Sequence, residues 1–194
     1  MSKGLKLTDI LVTVVIAVVF AVVYRLWGDV SNIAKLVPGL QLDQLIYGLW
    51  FIASSVAYLI IRKPGVALLA EAAAASGELL AGSQYGVEAL TYGIVQGLCA
   101  ELIFAAFRYR KYSASAAGLA GIAAAAGSLV FDVVKGYTAD YQSWSLLLYV
   151  VFRIVGSYII CGPVAYGLVK ALEATGVTRL VRPAHADDYK ALDK

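Results

Sequence analysis

Residues 1–28, MSKGLKLTDILVTVVIAVVFAVVYRLWG, contain an apolar run long enough to cross a membrane. A spanning helix needs about 20 mostly apolar residues, because it rises about 1.5 Å per residue through a hydrocarbon layer about 30 Å thick. The run lacks the short apolar core and the small-residue cleavage site of a secretory signal peptide. We therefore interpret residues 8–27 as the first membrane-spanning helix.

The composition of the whole chain also indicates an integral membrane protein. Of its 194 residues, 61% are hydrophobic and 15% are charged, and the mean hydropathy is +0.77. Soluble domains carry about 25% charged residues. The net charge of +3 does not indicate a nucleic-acid binding protein, because the basic residues stand at the ends of apolar runs and form no stripe along one face.

Basic and turn-rich residues divide the chain into six apolar segments, which predict an all-α, polytopic membrane protein. Residues 1–175 are expected to form one membrane domain, and residues 176–194 a polar cytoplasmic tail. Twelve Lys and Arg residues fall on the side of the termini and three on the other side, with Arg153 inside the sixth span, so the positive-inside rule predicts cytoplasmic termini. The predicted spans are 8–27, 43–61, 64–83, 88–107, 114–135 and 145–172.

The third predicted span carries two carboxylates, each of which costs about 2.5 to 3.5 kcal/mol near the centre of a membrane. Glu71, Glu78 and Tyr85 are seven residues apart, and seven residues fall only about 20° short of two full helical turns. We therefore expect all three on one face, with Glu78 and Tyr85 toward the external side and Glu71 deeper. Such a face either lines a protein-enclosed cavity or bonds to a neighbouring helix without binding a ligand.

Further polar and aromatic candidates lie at similar depths in the following spans. Tyr92 and Gln96 share a stripe of the fourth span at the depth of Glu78. Asp132, near the outer end of the fifth span, is either a ligand contact or a solvated or capping carboxylate. Trp144 begins the sixth span and either belongs to the site or forms an interfacial aromatic belt with other rings near the span ends, which are Trp27, Trp50, Tyr137 and Tyr141.

The fourth span also carries features that predict helix packing. Gly93 and Gly97 form a GxxxG pair, which permits a neighbouring helix to approach closely. Glu101, one turn beyond Gly97, is expected to have a structural role and to pair with Arg108 or Arg153.

Acids and aromatic rings without metal ligands suit a small cationic or amine-bearing ligand, because a carboxylate neutralises the charge and a ring face attracts it. No metal or cofactor is expected: the single histidine, His185, lies in the polar tail, and Cys99 and Cys161 lie inside apolar spans as packed thiols. The sequence contains no nucleophile with its base and no phosphate-binding loop. We therefore do not expect an enzyme.

Residues 70–112, AEAAAASGELLAGSQYGVEALTYGIVQGLCAELIFAAFRYRKY, resemble the YkoE family, as do the six spans in under 200 residues and an AxxxA pair in the first span. Members of this family are substrate-binding S components of energy-coupling-factor (ECF) vitamin transporters. The similarity runs through most of the chain and is most specific across the third and fourth spans.

This resemblance implies a binding subunit in the bacterial cytoplasmic membrane that captures thiamine or its hydroxymethylpyrimidine precursor from the external side. It implies delivery inward together with a transmembrane coupling subunit, the T component, and two ATPase subunits. It also assigns Ala17 and Ala21, the AxxxA pair, to contact with the coupling subunit. The expected substrate-binding residues are Glu78, Tyr85, Gln96, Tyr92, Glu71, Trp144 and Asp132.

Two other classes of function compete with this interpretation. A self-sufficient proton-coupled transporter would use Glu71, Glu78 and Glu101 as a proton relay. An intramembrane enzyme would use paired carboxylates, but the spans contain no histidine and no acid pair with an orienting partner.

Overall fold

The computed structural model describes residues 4–36 and 39–181, and all regular structure within these ranges is helical. The predicted tail beyond residue 181, with His185, and the residues Lys3 and Pro38 lie outside the described ranges. A 3₁₀ turn precedes α3, a π-helical turn joins α7 to α8, and a 3₁₀ turn spans Val177–Leu180. The helices are α1 (Leu7–Ala34), α2 (Leu42–Leu45), α3 (Ile52–Ile61), α4 (Val66–Leu80), α5 (Val87–Ala106), α6 (Ala114–Val134), α7 (Ser143–Ile159) and α8 (Ala165–Ala174).

Within the described residues, four helical segments are long and apolar enough to cross a membrane. They are α1, α5, α6 and the continuous stretch Ser143–Ala174, which contains α7 and α8. The segment Tyr47–Ile61 is a shorter apolar helix, and α4 has 15 residues, a length of about 22 Å. The prediction of an all-α polytopic membrane protein is confirmed.

α1 continues to Ala34, seven residues beyond the end predicted for the first span at residue 27. One face of the added turns contacts the rest of the protein: Ser31 is buried, and Asn32 Nδ2 donates a hydrogen bond to Gln84 Oε1 at 2.9 Å. Because these polar residues contact neighbouring segments, the helix extends beyond its apolar part.

α4 ends at Leu80, earlier than the predicted end at residue 83, because the chain turns through Gly82 with a φ of +84°. Only glycine adopts this left-handed conformation without strain. Tyr85 therefore lies in the turn between α4 and α5, and the prediction that it continues the helical face of Glu71 and Glu78 is wrong. The two glutamates are both buried on α4, as the spacing predicts.

The second predicted span is interrupted at its start, where α2 and the 3₁₀ turn Tyr47–Phe51 precede α3. We call Leu42–Phe51 the entry segment. It lies directly against α7 through two glycines. A Cβ atom on Gly48 would lie 2.7 Å from Ser157 Cα, and one on Gly156 would overlap the carbonyl oxygen of Leu45. Backbone contact of this kind is specified by tertiary packing, so an apolar sequence pattern does not reveal it.

α4 and α5 pack closely, as the GxxxG pair predicts. A Cβ on Gly93 would overlap Ala75 Cβ, and one on Gly97 would lie 2.9 Å from Glu71 Cβ. The absence of side chains at these two positions lets the helices approach.

Glu101 has the structural role expected of it, but its predicted partners are wrong. Its Oε1 accepts a hydrogen bond from Gly65 N at 2.6 Å, and its Oε2 accepts from Ala67 N at 3.0 Å and Leu68 N at 3.2 Å. The carboxylate thus satisfies N–H groups at the start of α4 that have no partner within the helix, where the helix dipole also favours negative charge.

Candidate functional site

A cavity of about 300 Å³ lies at the end of the bundle where α1, α4 and α6 end and α5 and α7 begin. Small-molecule sites in proteins have volumes from about 300 to 1,000 Å³ and combine a mostly apolar lining with a few polar groups. The lining residues are Ser31, Lys35, Asp43, Gln44, Tyr47, Trp50, Ala75, Glu78, Tyr85, Glu88, Ala89, Tyr92, Gly93, Gln96, Asp132, Tyr137, Tyr141, Tyr149 and Arg153.

Aromatic rings supply much of this lining. Trp50 and Tyr85 meet edge to face, with ring centroids 5.8 Å apart, and Tyr141 and Tyr149 lie 5.3 Å apart. Burial raises the pKa of Tyr85 and of Tyr141 above the usual value for tyrosine, so both phenols stay neutral at physiological pH. Such rings offer faces and edges against which a flat ligand can stack. The seven lining aromatic residues are Tyr47, Trp50, Tyr85, Tyr92, Tyr137, Tyr141 and Tyr149.

Two lining carboxylates have no ion-pair partner within the part of the chain that the structure describes. Glu78 is buried on α4, and its Oε1 accepts a hydrogen bond from Ser83 Oγ at 2.8 Å. Asp43, in the entry segment, accepts a hydrogen bond from Gln44 Nε2 at 2.6 Å. Both carboxylates can therefore receive a positive charge from a ligand.

A third carboxylate, Asp132 on α6, is fully engaged inside the protein. Its Oδ1 accepts a short hydrogen bond from the Tyr92 hydroxyl, and its Oδ2 accepts one from Tyr149 Oη at 2.6 Å. Oδ2 also forms an ion pair with Arg153 Nη1. The alternative of a solvated or capping carboxylate is therefore wrong for Asp132, since it is buried in a hydrogen-bonded pair.

Arg153 on α7 joins several parts of the lining. It is only 1% exposed. Its Nε donates to Gln44 Oε1 at 2.7 Å and its Nη2 to Tyr149 Oη at 2.5 Å. The guanidinium carbon lies 3.7 Å from the ring centroid of Tyr47 and 4.4 Å from that of Tyr149, within the range of cation–π attraction.

Glu88 holds an exposed group of contacts at the mouth of the cavity. Lys135 Nζ donates to its Oε1 and Tyr137 Oη to its Oε2, each at 2.7 Å. The hydrogen bond to this carboxylate raises the pKa of Lys135 and of Tyr137. Exposed ion pairs contribute little to stability, but this one compensates the charge of Glu88.

Five of the seven predicted substrate-binding residues line the cavity, namely Glu78, Tyr85, Tyr92, Gln96 and Asp132. Glu71 and Trp144 do not. Glu71 is fully buried, and its Oε2 accepts hydrogen bonds from Tyr24 Oη at 3.0 Å and from Ser54 N at 3.1 Å. Trp144, at the start of α7, is 65% exposed.

Several lining residues are not predicted from the sequence, although some of them carry a signal. Trp50, Tyr137 and Tyr141 are expected in an interfacial belt, but their rings line the cavity. Arg153 stands alone in an apolar span, and charged residues in that position are commonly functional. Asp43 gives no signal of its own, because an acid at the first position of a predicted span is ordinary.

The AxxxA pair lies away from this cavity. Ala17 and Ala21 are buried on α1 beside α4, where a Cβ on Gly77 would lie 2.5 Å from Ala21 Cβ. Both alanines line a shallow apolar groove between the two helices, together with Val14, Val18, Val22, Ala73, Gly77 and Ala81.

A ring-lined cavity with unpaired carboxylates at one end of a polytopic helical bundle defines a membrane-embedded solute-binding subunit. Within the described residues, His, Cys, Asp and Glu form no group of three or more that could hold a metal ion. The lining offers a ligand the rings, amides and carboxylates of the chain.

Comparison with known proteins identifies the family. A family described as "ABC-type cobalt transport system, permease component" matches residues 8–127. The Bacillus subtilis (strain 168) protein named "Putative HMP/thiamine permease protein YkoE" is 39% identical over 176 residues, which cover 90% of this chain and 88% of that protein. A crystal structure of an S-component of an ECF transporter is 36% identical, with a TM-score of 0.86, over 91% of this chain and 89% of that chain.

The chain belongs to this permease-component family and, within it, to the YkoE-like S components of ECF transporters. It is thus a bacterial multi-pass membrane protein with a binding and transport role, and it is not an enzyme.

Proposed function

We propose that this S component captures thiamine, or its hydroxymethylpyrimidine precursor, in the cavity beside Glu78. The observation that carries the proposal is a buried carboxylate without an ion-pair partner among the described residues, set in a cavity lined by seven aromatic rings. The name of the Bacillus subtilis relative, an HMP/thiamine permease, supports the same substrate class.

The chemistry of thiamine matches the lining. Thiamine joins a flat aminopyrimidine to a thiazolium cation, so it needs ring faces, a hydrogen-bonding amide or acid, and an anion or ring face for the cation. Trp50 and Tyr85 offer rings, and Glu78 offers the anion. Gln96, which is buried in the lining, offers an amide that both donates and accepts.

Among the predicted site residues, Glu78, Tyr85, Tyr92 and Gln96 are proposed to contact the ligand. Asp132 acts through Tyr92 and Arg153, which occupy its oxygens. We assign Glu71 a supporting role: it lies one helical turn from Ala75, a lining residue of α4, and it fastens α4 to α1 and α3. Trp144 is assigned to the membrane interface, in accord with its exposure.

We also propose six membrane spans, cytoplasmic termini and a cavity that opens to the external side. The distribution of basic residues supports this orientation. Three of them, Arg25, Lys35 and Lys135, lie toward the cavity end of the bundle. More Lys and Arg residues lie toward the opposite end, namely Lys6, Arg62, Lys63, Arg108, Arg110, Lys111 and Lys170. Residues 1–175 would then form the membrane domain, and residues 176–194 the cytoplasmic tail.

Release to the inside is proposed to require the T component and two ATPase subunits. As an S component, the chain implies such partners. The groove that contains Ala17 and Ala21 supports contact with the coupling subunit, because it is apolar and bordered by exposed valines of α1.

The competing proton relay gains little support. Glu101 uses both carboxylate oxygens to bind the start of α4, and Glu71 is hydrogen-bonded to Tyr24 and Ser54. Neither residue lines the cavity.

Calorimetric titration of the purified protein with thiamine and with hydroxymethylpyrimidine tests the proposed function. We expect saturable binding of at least one of them with a submicromolar Kd, accompanied by a higher thermal unfolding temperature. Failure of both ligands to bind below micromolar concentrations would contradict the proposal. Uptake into vesicles that contain this protein alone and are driven by a proton gradient would favour the proton-coupled alternative.

A further inference from the structure

The two acidic walls of the cavity differ in how their charge is compensated. On the α6 and α7 side, Asp132 is neutralised by Arg153 and hydrogen-bonded by two tyrosines. On the α4 side, Glu78 accepts one hydrogen bond from Ser83, and no cation lies within 4 Å of it among the residues the structure describes. The cavity therefore has one wall whose carboxylate forms a direct ion pair and one whose carboxylate does not, since Arg25 pairs with Asp29 and acts on Glu78 without forming an ion pair with it.

Arg153 creates this difference. Its side chain is among the largest that are fully buried, and its Nη1 forms the ion pair with Asp132. Its remaining contacts hold Gln44 of the entry segment and place the rings of Tyr47 and Tyr149 on the guanidinium. The same guanidinium thus cancels the charge of Asp132 and fixes tyrosines along the wall.

We propose that Arg153 is a specificity-determining positioning residue that fixes the orientation of the bound ligand in the cavity. Because Asp132 is already neutralised, the ligand's cation is directed away from it toward the unpaired carboxylates Glu78 and Asp43, and its uncharged ring lies along the tyrosines held by Arg153. This inference rests on the proposed function and deepens it, since it assigns the two ends of the ligand to the two walls.

The physical basis is the cost of an uncompensated charge in a buried site. If Arg153 is removed, Asp132 becomes an unpaired carboxylate in a low-dielectric wall, where it attracts a cation strongly. The cavity then has Asp132 as an additional unpaired carboxylate, beside Glu78 and Asp43. If Arg153 is replaced by lysine, Asp132 remains compensated, although the planar contacts to Gln44 and Tyr47 are lost.

A double-mutant cycle on Glu78 and Arg153 tests the proposal. Thiamine and hydroxymethylpyrimidine, which lacks the thiazolium cation, are titrated against the wild type, Glu78→Gln, Arg153→Met and the double variant. In the wild-type background, Glu78→Gln should weaken thiamine binding at least about fivefold and the precursor less than about twofold. In the Arg153→Met background, the thiamine penalty of Glu78→Gln should fall below about twofold, because the freed Asp132 offers the cation a further carboxylate.

The variant Arg153→Lys separates the effect of the positive charge at position 153 from the effect of the planar shape of the guanidinium. The full Glu78→Gln penalty should persist in the lysine background, because Asp132 stays neutralised. A penalty that is equal in all three backgrounds would overturn the proposal. Asp29→Asn is the matched control: it also removes one carboxylate near this end of the bundle, but the Asp29 side chain is 65% exposed and lies outside the cavity.

If Arg153→Met does not fold, Asp132→Asn supplies the same test from the other partner. It leaves Arg153 as an uncompensated cation, so thiamine binding should weaken at least about fivefold more than binding of the precursor. Equal weakening of both ligands would mean a structural role only and would overturn the proposal.

The two hypotheses fail differently. If the wild type binds neither ligand, both the proposed function and the role of Arg153 are rejected. If it binds thiamine and the Glu78 and Arg153 effects are simply additive, only the role of Arg153 is rejected.

Discussion

At the scale of single residues, the proposed recognition of the ligand depends most on Glu78. This carboxylate is buried in the lining that also contains Tyr85 and Gln96; it accepts a hydrogen bond from Ser83 and has no ion-pair partner within 4 Å among the residues that the structure describes. A buried charge that lacks a partner is costly. The presence of a buried carboxylate at this position is explained if the positive charge of a bound ligand pairs with it.

Glu78→Gln is accordingly expected to weaken thiamine binding by more than about 1 kcal/mol while the fold stays intact. Hydrogen bonds to charged groups contribute about 1.5 to 3 kcal/mol, and glutamine keeps the shape and the contact with Ser83. Calorimetry gives the Kd, and thermal unfolding checks the fold. An unchanged Kd would assign Glu78 a structural role.

At the scale of elements, the entry segment completes the cavity wall. It carries Asp43, Gln44, Tyr47 and Trp50 into the lining, and it can do so because Gly156 leaves room for the backbone at Leu45. The position of this segment is therefore set by a close backbone contact with α7.

Gly156→Ala should displace the entry segment. The added methyl would overlap the Leu45 carbonyl oxygen, and overpacking of this kind typically costs about 1 to 3 kcal/mol of stability. We expect lower thermal stability together with weaker ligand binding. Gly167→Ala in α8 is the control, since a Cβ added there would meet no atom within 4 Å and alanine favours the helix; an equal loss in both variants would contradict the assignment.

The sequence predicted most of the helices but little of how the cavity is assembled. Hydropathy located the long spans, and the spacing of Gly93 and Gly97 predicted close packing, because both are local properties of a helix. The ion pair of Asp132 with Arg153 and the position of the entry segment depend on tertiary contacts. Tyr85 lines the cavity from a turn. The helical periodicity therefore predicted a residue that does line the cavity, but it wrongly placed that residue on the helix.

At the scale of the whole molecule, the cavity and the groove with the AxxxA pair lie in different places. The cavity occupies one end of the bundle, whereas Ala17 and Ala21 lie along the side between α1 and α4. Such a separation allows one surface to bind the ligand and another to contact the coupling subunit.

Ala17→Leu is expected to spare ligand binding and to impair assembly with the T component. The larger side chain would fill the groove that a partner helix needs for close approach. Ligand titration of the isolated subunit and co-purification with the coupling module measure the two properties. Val19→Leu, on an exposed part of α1 outside the groove, is the control; loss of ligand affinity in Ala17→Leu would refute the separation of roles.

We propose that thiamine binds in this cavity with its thiazolium end toward Glu78. A crystal structure of the protein with bound thiamine tests it most directly. We expect the aminopyrimidine along the tyrosine wall and the thiazolium within about 6 Å of Glu78, a distance at which opposite charges interact in a protein. A ligand outside the cavity, or a thiazolium seated against Asp132 and Arg153, would contradict it.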